Sequence, residues 1–324
     1  NEKNQIYLDK LELKSSNDEF KITKLLINEN KKINQFDSLS MNFKNQSNIK
    51  NDLQIKRDKN SYIVEGKVFD MTNFINDLLF EESDQNNFLF NNQKKIFLLN
   101  LNKVHLDKEY FVEKFTGNIS FNKNKIDNAK IDGKFSDGKV ISFKVFNKNK
   151  SQITTLYSEF AEPLVKKYDF IKGFNGGLID FYSIERNSFS ESQLKIYDFK
   201  VKKIPALAKI LTLASLQGIA DLLTGEGIRF NELDMKFNSN SDKLEIDELY
   251  AIGPAISILM EGYVQKKPNL ISLKGTLVPA TTINKFVASI PLLGDILVGK
   301  KTGEGVFGVS FKIKGPQKDL KTTV

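Results

Sequence analysis

Cysteine is absent from the 324 residues. That removes disulfides, thiolate zinc sites and cysteine nucleophiles. Histidine occurs once, as His105 in the strand-like stretch Ile96 to Leu106, so a Ser-His-Asp arrangement has a single candidate base. A lone strand histidine is more often a surface or edge residue than a catalyst. Arginine is scarce, with only Arg57, Arg186 and Arg229 among 48 basic residues. No uncharged apolar run reaches the roughly 18 residues of a membrane-spanning helix, and no charged-then-apolar leader opens the chain. The first residue is Asn1 rather than Met, which reads as an excerpt of a longer protein or a processed form.

The formal charge is +8, a sign that can mark nucleic acid or an anionic membrane surface as partner. Lys, Asn, Ile and Phe are all heavily used, as an AT-rich coding sequence produces. The charge therefore reads as compositional drift plus solvated strand faces, and no nucleic-acid partner is expected.

Proline and glycine are unevenly placed. All seven prolines lie at or after Pro163, and 15 of the 19 glycines follow Lys150. Two regions result, 1–150 and 151–324. In the first, period-2 alternation dominates. Phe111, Phe115, Gly117, Ile119 and Phe121 fall on one face, with Val112, Lys114, Thr116, Asn118 and Ser120 on the other. Ala129, Ile131, Gly133 and Phe135 follow, and Asp137-Gly138 predicts a hairpin turn into Ile141, Phe143 and Val145. Ile6–Leu13, Phe20–Ile27, Ile33–Phe43, Tyr62–Phe69 and Ile96–Leu106 also read as strands. Short turns between one-sided strands predict an antiparallel meander. Another sheet, a helix or a lipid could cover its apolar face.

The second region predicts helices over Thr155–Tyr168, Pro205–Leu223 and Thr281–Val298. Pro163 interrupts the first, Pro205 occupies an N1 position with Gly225 and Gly227 supplying the stop, and Pro291 divides the third. Strands return with Leu233, Met235 and Phe237, then Ile256, Ile258, Met260, Gly262 and Val264. They continue with Ile271, Leu273, Gly275 and Leu277, and end on Phe307, Val309, Phe311 and Ile313. The fold class is mainly β with a few helices near the C-terminus.

Nothing in the carboxylate spacing singles out an acid/base pair, and Asp242 to Glu248 alternates as a wet strand face rather than a calcium loop. Gly299 to Gly305 lacks phosphate-loop spacing, and Gly173 to Gly177 reads as a turn into the strand Leu178–Ile184. No cofactor, metal or catalytic residue is expected. What remains is apolar surface. Packed against a second layer it is a core. Curled into a trough it stays open to acyl chains, at about 0.8 kcal/mol per buried methylene.

An ordered series of segments resembles the AsmA-like C-terminal region. It runs from Ile204-Pro205-Ala206-Leu207-Ala208 through Leu222-Leu223-Thr224-Gly225-Glu226-Gly227-Ile228 to Gly253-Pro254-Ala255. Leu273-Lys274-Gly275-Thr276-Leu277-Val278-Pro279-Ala280 comes next, then Ile290-Pro291-Leu292-Leu293-Gly294-Asp295-Ile296-Leu297. Gly303-Glu304-Gly305-Val306-Phe307 and Gly315-Pro316 close it. The resemblance covers about a third of the chain clearly, and the family's sequences run on past the position of Val324. It implies a place in the AsmA, TamB and YhdP group of envelope proteins, similar in architecture to bridge-like lipid transfer proteins.

Carried over, that resemblance implies a long curled antiparallel β-sheet forming a trough for phospholipid acyl chains. It also implies periplasmic placement near membrane, tethering to the inner membrane by an N-terminal segment, possible envelope protein partners and no enzymatic step. The lining candidates are Phe111, Phe115, Ile119, Phe121, Ile131, Phe135, Ile141, Phe143 and Val145. Downstream they are Met235, Phe237, Ile258, Met260, Phe307, Val309 and Phe311. The alternative is an envelope scaffold with a dry core that assists outer-membrane assembly through protein contacts.

Overall fold

One-sided strands need a common register before their apolar faces can merge, and hairpin pairing supplies it here. The computed structural model describes residues 5–73, 94–122, 125–167, 173–279, 308–316 and 319–324. It is mainly β, with nineteen strands in one mostly antiparallel sheet that is not closed into a barrel. The chain divides into two compact units, residues 1–157 and 158–324.

The first unit holds β1 (Ile6–Lys14), β2 (Glu19–Ile27), β3 (Ile33–Gln35), β4 (Ser38–Lys44), β5 (Lys50–Asp58) and β6 (Ser61–Asp70). It continues with β7 (Lys95–His105), β8 (Phe111–Asn122), β9 (Lys125–Lys134), β10 (Val140–Lys148) and β11 (Ser151–Ser158). The stretch expected as one strand over Ile33–Phe43 is broken at Phe36 and Asp37, and both pieces pair with β2. Phe36 turns inward there, 1% exposed. The Asp137-Gly138 turn forms as expected, closed by Phe135 N–H donating to the Lys139 carbonyl at 2.8 Å. Most neighbours are antiparallel, whereas β6 and β7 run parallel.

The second unit opens with one helical turn, α1 (Glu162–Val165), then β12 (Gly173–Arg186) and β13 (Phe189–Lys202). Two helices follow, α2 (Pro205–Leu213) and α3 (Gln217–Thr224). The sheet resumes with β14 (Ile228–Ser239), β15 (Lys243–Ile252), β16 (Ile256–Gln265), β17 (Leu270–Pro279), β18 (Val309–Pro316) and β19 (Lys321–Thr323).

Three expectations are corrected here. The helix expected over Thr155–Tyr168 is strand as far as Ser158, and within the described residues only the turn around Pro163 is helical. Ile153, Thr154 and Thr155 are β-branched, which favours extended backbone. The helix expected over Pro205–Leu223 is two helices. Ser215 adopts φ +59° between them, and Leu216 N–H reaches back to the Leu211 carbonyl at 2.8 Å. Serine competes for backbone partners and weakens a helix interior. Gly173 to Gly177, expected as a turn, lies inside β12. Gly176 and Gly177 sit there at φ +73° and +81°, a region L side chains rarely adopt. Thr281–Val298 and Gly299 to Gly305 lie outside the described residues.

Polar residues in the left-handed region recur inside the strands: Lys24 at φ +49°, Lys114 at +51° and Asp198 at +50°. Each is preceded at −2 and followed at +1 by buried apolar residues. The pairs are Ile22 with Leu25, Val112 with Phe115, and Ile196 with Phe199. Strict alternation would send the members of each pair to opposite faces. At Lys114 the β8–β9 register shifts by one residue, a bulge that bends the strand and increases its twist.

Candidate functional site

Cross-strand register turns the alternation of single strands into continuous rows. In the first unit one row runs Leu11, Ile22, Leu39, Ile55, Val64, Leu99, Gly117, Ile131, Phe143 across nine strands. Its length is about 38 Å at the usual strand spacing of 4.7–4.9 Å. The row one residue away, on the opposite face, is Glu12, Lys21, Ser40, Gln54, Glu65, Asn100, Thr116, Asp132, Ser142. Every member of the first row is apolar or glycine. Every member of the second is polar. Gly117 allows the close approach of β9, since a Cβ there would run into the Lys130 carbonyl.

Two further rows flank the apolar one. Leu13, Phe20, Met41, Leu53, Gly66, Leu101 and Phe115 form the first. Tyr62, Phe97, Ile119, Ala129 and Val145 form the second. Three rows spaced by two residues make a band about 14 Å wide. Rings meet around Tyr62 and Phe97 of this band: Phe36 on Tyr62 at 4.8 Å, Tyr62 stacked on Phe97 at 5.5 Å, and Phe97 edge-on to Phe121 at 6.1 Å. Burial pushes the Tyr62 phenol above its ordinary value, partly offset by the Phe36 N–H donated to its oxygen at 3.4 Å.

At the end of the same face stands Lys95, opposite Phe121. Its Nζ donates to the Asn34 carbonyl at 2.7 Å. Burial, and after it the Arg57 guanidinium, hold this amine below the usual lysine value. The apolar band thus terminates in a cation.

In the second unit the corresponding row is Phe181, Leu194, Met235, Leu249, Met260, Gly275, Phe311, over seven strands. Beside it run Ile179, Ile196, Leu233, Ala251, Ile258, Leu277 and Val309. The helices α2 and α3 contribute Leu207, Ile210, Leu211 and Leu223 to one cluster with Ile196, Phe199, Ile228, Phe230, Ile256, Leu277 and Phe311. Leu211, Leu223, Ile256 and Leu277 are 0% exposed. Here a helical layer seals part of the face. Phe237 meets Phe181 at 6.5 Å.

The expected lining residues divide accordingly. Phe115, Ile119, Phe121, Ile131, Phe135 and Val145 are buried, and Ile141 and Phe143 are half-buried. Met235, Phe237, Ile258 and Met260 are half-buried, whereas Val309 and Phe311 are buried. Phe307 lies outside the described residues. Phe111 is a correction. The bulge at Lys114 hands its expected place to Val112, 0% exposed, whose Cγ1 lies against Gly133 on the apolar face. Phe111 instead sits between His105, 5.6 Å ring to ring, and Lys103, whose Nζ is 3.9 Å from the ring centroid. The His105 Nδ1 is buried without a hydrogen-bond partner among the described residues.

Sequence reading missed two buried carboxylates. Asp234, 2% exposed, accepts from Gln193 Nε2 at 2.8 and 3.0 Å and from the Tyr250 hydroxyl at 3.2 Å, and it pairs with Lys195 at 3.1 Å. Glu162, 5% exposed, accepts from Gly176 N–H at 2.8 Å and Asn175 Nδ2 at 3.0 Å and pairs with Lys166 at 2.5 Å. Both are satisfied by neighbours, as structural carboxylates are. No three His, Cys, Asp or Glu side chains group as metal ligands among the described residues. None of the described helices is long and apolar enough to cross a membrane. No family model, curated protein or solved structure matches the chain. The likeness to the AsmA-like C-terminal region therefore rests on the segments quoted above alone.

Proposed function

We propose that this chain binds phospholipid acyl chains along its apolar strand faces and passes them on without a covalent step, as a segment of an envelope lipid conduit. The observation that carries the reading is the nine-strand apolar row in the first unit, backed by an all-polar row on the opposite face. A straight hydrocarbon can lie along such a row with no polar atom to desolvate, and its affinity grows with the methylenes removed from water. The resemblance of Ile204 to Pro316 adds the setting: periplasm, inner-membrane tethering, outer-membrane biogenesis. Purified protein analysed by mass spectrometry should carry phospholipid, and photocrosslinkers at the half-buried positions Phe143 and Phe237 should capture it. Lipid-free protein with no lipid adduct from either position would overturn the reading.

A second reading applies to the second unit. The helix-sealed cluster around Leu211, Leu223, Ile256 and Leu277 favours a dry scaffold there, acting through protein contacts in envelope assembly. Crosslinks from Phe143 to lipid together with none from Phe237 would assign conduction to the first unit and scaffolding to the second.

A further inference from the structure

Lysines that are far apart in sequence converge on the polar face of the last three strands. Register places Lys274 of β17 directly opposite Lys312 of β18, and Lys314 of β18 directly opposite Lys321 of β19. All four are exposed. Directly opposite residues stand about 4.5–5.5 Å apart at Cβ, and like charges in that position destabilise a sheet. One carboxylate answers them: Glu261 pairs with Lys274 at 2.7 Å. Among the described residues no ion pair reaches Lys312, Lys314 or Lys321. The patch therefore keeps a net charge near +3 within two ladder pairs. Edge protection explains lysine on a terminal strand, and it would need only Lys321. Lys274 lies two strands further in.

We propose that this face docks on an anionic lipid surface. It lies on the side of the sheet opposite Phe311 and Ile313, so headgroup contact here leaves the apolar face untouched and does not depend on the acyl-binding reading. Lysines are compact point charges suited to a diffuse surface potential. The neighbours in the same rows are Ser272, Tyr263, Glu261 and Thr323. The Tyr263 ring is engaged by Lys243, whose Nζ lies 4.8 Å from its centroid, and none of these neighbours is an arginine, the side chain that reads base edges bidentately.

The test is flotation of the full chain with vesicles of phosphatidylcholine alone and of equal parts phosphatidylcholine and phosphatidylglycerol, at low and high salt. Binding is expected only to the anionic vesicles and should weaken with salt. The triple variant Lys312→Gln, Lys314→Gln, Lys321→Gln should bind about 100-fold more weakly, at roughly fivefold per lysine. The control triple Lys56→Gln, Lys67→Gln, Lys130→Gln removes the same charge from the polar face of the first unit without touching two directly opposed lysines at once, and should change binding less than about threefold. Unchanged thermal midpoints establish that both triples are folded, and a patch variant that unfolds is replaced by Lys312→Gln with Lys321→Gln. Equal losses in the two triples, no binding to anionic vesicles, or tighter binding to a single-stranded oligonucleotide would each overturn the proposal.

Discussion

Val112 and Phe115 occupy the same face of β8 although three positions separate them. The intervening Lys114 carries the cost, at φ +51°. A left-handed L-residue is disfavoured by roughly 1–2 kcal/mol, a penalty glycine escapes. Lys114→Gly is therefore expected to raise stability by about 0.5–1 kcal/mol, once the entropy glycine loses on folding is subtracted. Lys114→Val should lower it. Urea midpoints at equal m-value check both.

Glu162, from a single helical turn, holds Asn175 and Gly176 of β12. In Glu162→Ala the Gly176 N–H and the Asn175 amide lose a charged acceptor in a buried place, at a cost of about 3 kcal/mol. Glu162→Gln retains one acceptor oxygen and should fall between that variant and the parent. Denaturation of the three proteins, with proteolysis mapping whether cleavage opens near residue 176, decides it.

The Asp234 network makes stability sensitive to alkali. Its carboxylate, as hydrogen-bond partner, holds the Lys195 ammonium above the ordinary lysine value. Burial, and then the same carboxylate, push the Tyr250 phenol up. Both folded-state values are raised, so both contributions are complete below the unfolded pKa values near 10 and are lost as pH climbs through the raised ones. Asp234→Asn should cost about 2 kcal/mol at neutral pH. It should also flatten the fall in urea midpoint above about pH 10. A variant that keeps the parental alkaline slope would sink this account.

Lys95 works in the opposite sense. Its amine is held below its ordinary value, so the penalty exists while it is charged and fades as pH rises through the lowered value. Lys95→Met should raise the thermal midpoint by about 2 °C at neutral pH, with the advantage shrinking toward pH 10. Calorimetry at two pH values measures it.

Much of the sheet was legible because Ala129, Ile131, Gly133 and Phe135 alternate strictly and the Asp137-Gly138 turn names its own geometry. Phe111 was misplaced because a bulge changes the phase of alternation, and a lysine at +51° looks like any other lysine in sequence. The break at Ser215 was hidden for a related reason: apolar residues continue at helical spacing on both sides of it. The row from Leu11 to Phe143 needed register, a property of pairs of strands. The same is true of the lysine patch, since Lys274 and Lys321 are remote in sequence and meet only through β18. Nothing in the sequence marks Asp234 as buried, and its burial arises from Gln193, Lys195 and Tyr250 on the neighbouring strands.

The parallel junction between β6 and β7 bears on how the chain reaches its fold. Hairpins zip from their turns, with loop closures of a few residues. Pairing Ser61 with Ile96 and Asp70 with His105 instead requires ends 35 residues apart to meet, which costs more chain entropy before any contact repays it. Residues 6–70 and 95–148 can each assemble by local steps, so joining them is expected to be the slower event. Substitutions at Val64 or Leu99, which face each other across that junction, should retard folding more than equally destabilising ones inside a hairpin.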